Sequence, residues 1–257
     1  MGPFPVPKKP GNGSPKMKCL IVAAGKGSRI ARLGSCKPLL KVDGVPLIER
    51  VINRAGEAGI REFLVVTGFQ GQKIRQHLDR YGPERGLSIT CVHNPDWQRK
   101  NGLSVLAAQP LVKEPFLLLM ADHLFDPSII RDLIKAGVRK EALRLAVDRR
   151  IEHNPLVDLQ DVTKVLEHGG RIRMIGKELR EYNAFDTGIF LSTPALFEGL
   201  ARGLTGEDVS LSDGVAAMSR SGRADTYDIG KRFWLDVDDE AAYQKALVHC
   251  RTGEFGA

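Results

Sequence analysis

Short, continuous apolar runs alternate with amphipathic segments along the first half of the chain. Apolar runs without polar alternation are typical of strands that are buried on both faces of a sheet. The intervening segments repeat apolar residues at helical spacing, so helices are predicted to connect the strands. This order predicts a Rossmann-like α/β fold with a mixed, mainly parallel sheet flanked by helices. The strands predicted in this way are KCLIVAA (18–24), REFLVVTG (61–68), LSITCV (87–92) and PFLLLMAD (115–122).

The pattern changes after residue 140, where strand-like runs follow one another more closely. LRLAVD (143–148) and FDTGIFL (185–191) are predicted strands. Between them, VTKVLEHGGRIRMIG (162–176) has the pattern of a hairpin that turns at Gly169 and Gly170. We expect this hairpin to form a small antiparallel flap on the main sheet. Further helices are predicted from Thr193 and, near the end of the chain, from about Asp239.

The first sixteen residues differ in composition from the rest of the chain. They contain five prolines, three glycines and three lysines and lack the apolar segment of a secretory signal. We predict a disordered tail or expression leader over residues 1–16, followed by one domain over residues 17–257. The tail lysines supply three of the net +7 charges, and the remaining surplus is too small and too dispersed to indicate nucleic-acid binding.

Composition also limits the location of the protein. No apolar run approaches the roughly 20 residues that cross a bilayer, so no membrane span is predicted. The four cysteines show neither paired spacing nor a metal-ligand pattern, which favours ordinary reduced thiols and a cytoplasmic protein.

The loop after the first predicted strand, AAGKGSR (23–29), combines glycines with cations. It is not a Walker A loop, because Ile30 stands where GxxxxGK[ST] requires its second glycine. It is not a dinucleotide fingerprint either, because Ile30 stands where GxGxxG requires its third glycine. Glycines let backbone N–H groups turn toward an anion, while Arg29 and Lys37 offer charges suited to a triphosphate. The alternative is an ordinary turn between strand and loop with solvated cations.

The loop LIVAAGKGSRI together with KPLL resembles the signature of the sugar-nucleotidyltransferase family, over about residues 17–245. The resemblance implies that residues 17–257 are a nucleotidyltransferase domain in which Arg29 and Lys37 are catalytic and hold the phosphates of a nucleoside triphosphate. It also implies that the loop wraps the nucleotide through Ala23, Ala24, Gly25, Lys26, Gly27 and Ser28.

Two carboxylates are predicted to meet at the carboxyl edge of the sheet. Asp122 ends the most apolar strand, and Asp236 lies in a second short apolar run, FWLDVDD. Together they are predicted to hold Mg²⁺, which prefers oxygen ligands and commonly bridges phosphates, and the matching aspartates of the resembled family bind the catalytic metal. A helix cap is the alternative for Asp122, although Asp126 before Pro127 suits that role better. Asp238 and Asp239 compete with Asp236, and we interpret His123 as a supporting group.

The segment HNPDWQRKNGLSVLAA (93–108) is a candidate for reading the nucleotide base. Asn101, Gly102 and Ser104 would present donors and acceptors, with helix capping as the alternative for Ser104. The stretch NGLSVLAA resembles the cytidylyltransferase branch of the family, which activates phosphocholine or inositol 1-phosphate with CTP.

The acceptor is predicted to contact residues of the second half of the chain. Lys177 would meet its phosphate, while polar side chains at Asp186 and Thr187 would bind its hydroxyls. Asp148, which ends a predicted strand, would bind the hydroxyls or the metal. The alternative is that these are a solvated lysine and polar residues of an edge strand. The aromatic residues needed to cage choline do not cluster near these segments, so a polyol phosphate is favoured. The hairpin and DTG segments resemble those of enzymes that use CTP and inositol 1-phosphate, which are often fused to a membrane-embedded phosphotransferase.

The predicted reaction is Mg²⁺-assisted, in-line attack of the acceptor phosphate on the α-phosphorus of CTP, which releases pyrophosphate and gives CDP-inositol. Phosphocholine or hexose-1-phosphate transfer remains an alternative within the same fold. A nucleotide-sensing subunit without catalysis is the alternative from a different class, and it would be expected to have lost the loop cations or a metal carboxylate.

Overall fold

The computed structural model describes residues 17–152 and 154–252, and the predicted tail over residues 1–16 lies outside them. Thirteen strands and seven α-helices lie within these ranges. The strands are β1 (Lys18–Ala23), β2 (Lys41–Val42), β3 (Val45–Pro46), β4 (Glu62–Thr67), β5 (Ser88–His93), β6 (Phe116–Met120), β7 (His123–Phe125), β8 (Leu143–Asp148), β9 (Lys164–His168), β10 (Arg171–Gly176), β11 (Ala184–Ser192), β12 (Ala224–Asp228) and β13 (Trp234–Asp236). The helices are α1 (Leu47–Glu57), α2 (Gly71–Glu84), α3 (Gly102–Leu106), α4 (Pro127–Ala136), α5 (Ala195–Gly203), α6 (Leu211–Arg220) and α7 (Glu240–Thr252).

Nine of these strands form one mixed sheet in the order β5-β4-β1-β6-β11-β8-β12-β10-β9. Strands β5, β4, β1 and β6 are parallel, and α2 and α3 lie in the connections between them as the pattern predicts. Strand β11 enters antiparallel between β6 and β8, while β12 pairs parallel with β8. The predicted mixed α/β class is confirmed, with the parallel pairs concentrated in the first half of the sheet.

The hairpin predicted around Gly169 and Gly170 is confirmed as β9 and β10. Both glycines have positive φ values, of 59° and 73°, which is the conformation that a two-residue hairpin turn of this hand requires. The hairpin is continuous with the main sheet, because β10 pairs with β12 and β9 pairs with β11. The expected flap is therefore the far edge of the sheet.

Apolar layers cover both faces of the sheet, as the continuous apolar runs predict. In β6, Leu117 and Leu119 pack into one layer, while Phe116 and Leu118 pack into the other. All four side chains are fully buried, and each contributes about 2 kcal/mol through removal of apolar surface from water. The first layer lies under α1, α2 and α4, and the second lies under α3, α5 and α6.

A small antiparallel sheet of β7 and β13 positions the acidic residues. In its register His123 lies opposite Asp236, and the backbone N–H of Val237 donates to the carbonyl of Asp122 at 3.0 Å. Segments that are 110 residues apart in the chain are thereby held side by side at the carboxyl ends of β1 and β6, where open α/β sheets bind ligands.

Three further predictions concern a helix cap, the cysteines and membrane spans. Asp126 caps α4 by accepting the Ser128 N–H at 2.7 Å, as predicted. The four cysteines are free thiols. Across the described ranges, no helix has the length and apolar character that crossing a membrane requires.

Candidate active site

The glycine loop follows β1 directly and passes over the side chain of Lys37. Gly27 has a φ of 63°, and a Cβ atom placed on it would lie 2.6 Å from Cβ and 2.8 Å from Cδ of Lys37. Both the left-handed backbone and the close approach favour glycine at this position. The loop and Lys37 are therefore packed as one unit.

We expect Gly27→Ala to lower kcat/KM for the nucleotide by about 100-fold, because the added methyl displaces either the loop or Lys37, and displacements of about 1 Å have effects of this size. Steady-state kinetics with varied nucleotide would measure it. Gly176→Ala is the matched control, since that position lacks positive φ and has open space for a Cβ. Wild-type kinetics in Gly27→Ala would contradict the packing argument, provided that both variants keep the wild-type melting temperature.

Lys37 is buried and bridges two carboxylates. Its Nζ donates to Oδ2 of Asp122 at 2.6 Å and to Oδ1 of Asp238. Burial alone would lower the pKa of Lys37, but the carboxylates of Asp122, Asp238 and Asp236 outweigh burial and raise it above the usual range. The side chain is thus a fixed positive charge beside the loop.

Arg29 holds a second ion pair at the mouth of the loop. Its guanidinium contacts Oδ2 of Asp238 at 2.5 Å and Oδ2 of Asp161 at 2.8 Å. Burial opposes ionisation of Asp161, yet hydrogen bonds from Lys177 and Arg29 lower the pKa of Asp161 to about 2. Both loop cations, Arg29 and Lys37, are therefore paired with carboxylates.

Asp122, His123 and Asp236 form a compact group next to Lys37. Nδ1 of His123 lies 2.9 Å from Oδ1 of Asp122 and 3.6 Å from Oδ1 of Asp236. Burial disfavours the charged imidazole, but Asp236 and Asp122 raise the pKa of His123 to about 9. For Asp236 burial is the dominant cause, and it raises the pKa of that carboxyl to about 8.

The chemistry of this group fits a divalent cation. Ligand atoms of Asp122, His123 and Asp236 lie within 4.8 Å of one another, as do those of Asp161, Asp236 and Asp238. Asp236 belongs to both sets, and its Oδ1 is buried without a hydrogen-bond partner among the described residues. A buried carboxylate oxygen without a donor is the kind of atom that a metal ion satisfies.

Two cavities meet at these charged residues. The smaller cavity has a volume of about 310 Å³ and lies against the glycine loop, Lys37 and Pro38. The larger cavity has a volume of about 560 Å³ and extends from His123 and Trp234 toward Lys177 and Asp186. Five residues line both cavities and form their shared wall: Arg29, Asn101, Met120, Asp122 and Asp238.

The family is decided by comparison with known proteins. A model of the MobA-like NTP transferase domain matches residues 19–179, which is more than half of the chain. The chain belongs to the MobA-like NTP transferase domain family.

Relatives of this NTP transferase domain support the resemblance noted from its loop and DTG segments. The bifunctional IPC transferase and DIPP synthase of Rubrobacter xylanophilus is 34% identical over 220 residues, which cover 85% of this chain and 48% of that protein. The protein of the same name from Archaeoglobus fulgidus is 29% identical over 230 residues, covering 90% of this chain and 43% of that protein. The chain thus spans about half the length of the curated relatives it matches.

Solved structures agree with this family assignment. The inositol-1-phosphate CTP transferase from T. maritima has a TM-score of 0.79 at 26% identity, covering 91% of this chain and 97% of that chain. A UDP-glucose pyrophosphorylase complexed with UDP-glucose has a TM-score of 0.76 at 21% identity, covering 92% and 99% of the two chains. The latter shows the shared fold alone.

Most of the residues predicted to bind nucleotide line the smaller cavity of this NTP transferase domain. Lys26 is the exception within the loop, because its ammonium lies 5.8 Å from the ring centroid of Phe69 and does not line the cavity. The lining residues predicted from sequence are Ala23, Ala24, Gly25, Gly27, Ser28, Arg29, Lys37, Asn101 and Asp122.

The predicted base-reading segment is only partly at the cavities. Asn101 lines both of them, although its Oδ1 accepts the N–H of Leu211 at 2.9 Å. Gly102 and Ser104 line neither. The N–H of Gly102 donates to the carbonyl of Val209 at 3.0 Å, and Ser104 is buried inside α3, where its hydroxyl accepts from Asn94 at 2.9 Å. The polar groups of Gly102 and Ser104 are therefore hydrogen-bonded within the protein. Ser104 is also not the residue that caps α3.

Two of the four predicted acceptor residues line the larger cavity. Lys177 is half exposed, and its ammonium contacts Oδ1 of Asp161 at 2.5 Å. Asp186 accepts the N–H of Gly188 at 2.8 Å, and burial raises the pKa of its carboxyl to about 6. The pair places a cation and a carboxylate in one cavity.

Asp148 and Thr187 do not line the two cavities. This corrects the prediction made for Asp148 from the end of its strand and for Thr187 from its place before Gly188. Asp148 is fully buried, where it accepts from the indole of Trp234 at 2.7 Å and from the guanidinium of Arg150 at 2.8 Å. Thr187 is also fully buried and donates to the carbonyl of Ala146 at 2.8 Å. The hydrogen bonds of both side chains stabilise the sheet and its flanking loop.

We expect Asp148→Ala to lower the free energy of unfolding by about 3 kcal/mol, because it leaves buried donors without an acceptor. Urea unfolding would measure the loss, with Asp79→Ala as the control at an exposed position on α2. Unchanged stability together with a raised KM for the acceptor would instead indicate that Asp148 binds the acceptor.

Asp161 and Asp238 are functional candidates that sequence reasoning did not assign. Asp238 was recognisable as a competitor of Asp236, since both stand in WLDVDD two positions apart. Asp161 lies in the segment between β8 and β9, where no apolar pattern or motif indicates its contact with Arg29. It is positioned only by the tertiary structure of this NTP transferase domain.

Proposed function

We propose that the chain transfers the cytidylyl group of CTP to inositol 1-phosphate, giving CDP-inositol and pyrophosphate. One observation carries the proposal: two cavities adjoin at a wall that holds Arg29, Asp122 and Asp238. Two anionic substrates in these cavities would bring a phosphate oxygen and the α-phosphorus together at that wall. The named relatives support CTP and inositol 1-phosphate as the pair.

The nucleotide is assigned to the smaller cavity. Its triphosphate would take the place of Asp238 as the partner of Lys37 and Arg29, since a phosphate carries more negative charge than a carboxylate. The backbone of the glycine loop, with no side chain at Gly25 or Gly27, permits this close approach. In the complex, Arg29 and Lys37 neutralise the charge that develops on the leaving pyrophosphate.

The acceptor is assigned to the larger cavity, which is lined by both carboxylates and cations. Hydroxyl groups of a polyol donate well to carboxylates such as Asp186, and Lys177 lies within the same cavity to attract a phosphate. Among the aromatic residues of the described chain, Phe190 and Trp234 line this cavity, and the Trp234 indole is already bound to Asp148. An aromatic cage for choline is therefore not formed here.

The chemical step needs no enzyme nucleophile. The second pKa of a phosphate monoester is about 6, so the acceptor is largely dianionic at neutral pH. Its oxygen attacks the α-phosphorus of CTP, a new P–O bond forms, and the bond between the α-phosphorus and the bridging oxygen breaks as pyrophosphate leaves. The protein contributes positioning and neutralisation of charge.

Asp122 and Asp236 are the residues that would hold Mg²⁺, and the buried Oδ1 of Asp236, which accepts no hydrogen bond from the described residues, supports this assignment. When bound, the ion would supply positive charge that lowers the repulsion between two phosphate groups. Lys37 keeps one oxygen of Asp122 engaged, and His123 keeps the other engaged and orients the carboxylate.

Hexose-1-phosphate transfer is the second candidate. The carboxylates of the larger cavity would bind the hydroxyls of a hexose as well as those of inositol. A UTP–glucose-1-phosphate uridylyltransferase of Haloferax volcanii is also 26% identical to the chain over 212 residues.

Pyrophosphate release tests the proposal. The chain would be assayed with Mg²⁺ across four nucleoside triphosphates and three acceptors, namely inositol 1-phosphate, phosphocholine and glucose 1-phosphate. We expect release with CTP and inositol 1-phosphate. Release confined to another pair would overturn the substrate assignment while keeping the reaction, and no release with any pair would favour a nucleotide-sensing role.

The fate of the product is also proposed from the relatives. Their names join IPC transferase to DIPP synthase in one protein, and this chain matches about half of their length. We propose that CDP-inositol made here is consumed by a membrane-embedded alcohol phosphotransferase of that kind. Incubation of the chain with such a synthase and labelled inositol 1-phosphate would test whether label passes through CDP-inositol.

A further inference from the structure

Helix α7 presents one side of its first two turns to the larger cavity. Ala241, Ala242 and Lys245 line the cavity, and they follow directly after Asp238 and Asp239, which line it as well. Positions three or four residues apart share one face of a helix. The two alanines leave space beside the helix, and Lys245 is the cation on that face.

Lys245 differs from the other cations of the larger cavity in having no ionic partner. Arg29, His123 and Lys177 each contact a carboxylate. For Lys245, no hydrogen bond or ion pair is formed with any residue of the described ranges, and the side chain is partly buried. A lysine that lines a cavity and has no counter-ion is suited to bind an anion there.

The location of Lys245 indicates which anion it would bind. Lys245 lines the larger cavity but not the smaller one, whereas Arg29 lines both. Long side chains on a helix lean toward its N-terminus, and Asp238 on the shared wall lies two residues before the first residue of α7. An anion in the larger cavity, rather than one in the smaller cavity, is therefore the ligand that lies beside Lys245.

We propose that Lys245 is a binding residue for the phosphate monoester of the acceptor. This inference rests on the proposed function, because it assigns the larger cavity to an acceptor that carries a phosphate. Lys177 has to exchange Asp161 for that phosphate, whereas Lys245 has no partner to give up. Lys245 therefore makes the first ionic contact with the acceptor, and Lys177 follows when its pair with Asp161 opens.

The test compares Lys245→Ala with two controls. Gln244→Ala changes the adjacent, exposed residue of α7, and Lys113→Ala removes a similar charge from an exposed position far along the chain. We expect Lys245→Ala to raise KM for inositol 1-phosphate about tenfold, as loss of one charged hydrogen bond would, with KM for CTP changed less than about twofold. Lys245→Arg should restore most of the acceptor affinity, because the positive charge is kept.

Equilibrium dialysis with labelled inositol 1-phosphate gives a readout that does not depend on turnover. Weaker retention by Lys245→Ala than by both controls is the expected result. If the wild type instead turns over another of the three monoesters, the proposed function fails, while the same tenfold rise measured with that monoester supports Lys245. An unchanged KM and unchanged retention, or a rise confined to KM for CTP, would overturn the inference.

Discussion

Replacing Lys37 by alanine is expected to lower kcat about 100- to 1,000-fold at saturating Mg²⁺ and CTP. Lys37 is a buried, fixed positive charge that lies between Asp122 and Asp238 and beneath the glycine loop. Preorganised electrostatic groups at a site of developing charge are typically worth this factor.

Single-turnover kinetics would measure the chemical step in Lys37→Ala, and circular dichroism would confirm that the variant is folded. Lys41→Ala is a matched control, because Lys41 is an exposed lysine of the neighbouring strand β2. Near-wild-type turnover by Lys37→Ala would show that Lys37 is not needed for catalysis. Equal losses in both variants would indicate a general effect of charge on the protein.

Asp122→Asn is expected to have an effect of similar size, accompanied by a higher Mg²⁺ requirement. The substitution keeps the shape of the side chain but removes the charge that Lys37 and His123 contact. Ionised carboxylates are much better ligands for Mg²⁺ than neutral amides, so both the affinity for the ion and the rate should fall. The half-saturating Mg²⁺ concentration and kcat would be measured together.

Asp79→Asn provides the control for Asp122→Asn, since Asp79 is an exposed aspartate of α2. A fall in kcat that added Mg²⁺ fully reverses would limit Asp122 to metal binding. Unchanged kcat and unchanged Mg²⁺ dependence would contradict its role altogether.

Much of the fold could be predicted because strands that are buried on both faces of a sheet are continuous apolar runs in the sequence. The continuous run in β6 and the paired glycines of the β9–β10 turn are local signals, and both were interpreted correctly. The insertion of β11 between β6 and β8 has no local signal, because it depends on which long-range antiparallel pairs the whole chain can form.

The position of a candidate site residue could be predicted where that residue follows a strand that ends at the carboxyl edge of the sheet. Asp122 follows closely after β6 for this reason, and the β7–β13 register places Asp236 near it. Lys37 reaches Asp122 from the loop that follows β1. The same reasoning failed for Asp148, because Trp234 and Arg150 cover the end of β8 and use its carboxylate. A strand end indicates where a residue lies, but only the packing around it decides whether its polar atoms are available.

Lys245 shows the complementary case. Its position on an amphipathic helix predicts a solvated side chain, and no motif surrounds it in QKALVHC. Only the fold places that helix face against the larger cavity. Residues whose function depends on the approach of two distant segments are the ones that sequence patterns miss.

The stereochemical course at phosphorus tests direct transfer between the two cavities. One diastereomer of CTP that carries sulfur on its α-phosphorus would be converted with inositol 1-phosphate, and the configuration of the product would be determined. A single in-line attack by the acceptor phosphate predicts inversion. Retention would contradict it, because retention requires two displacements and a covalent intermediate on an enzyme nucleophile.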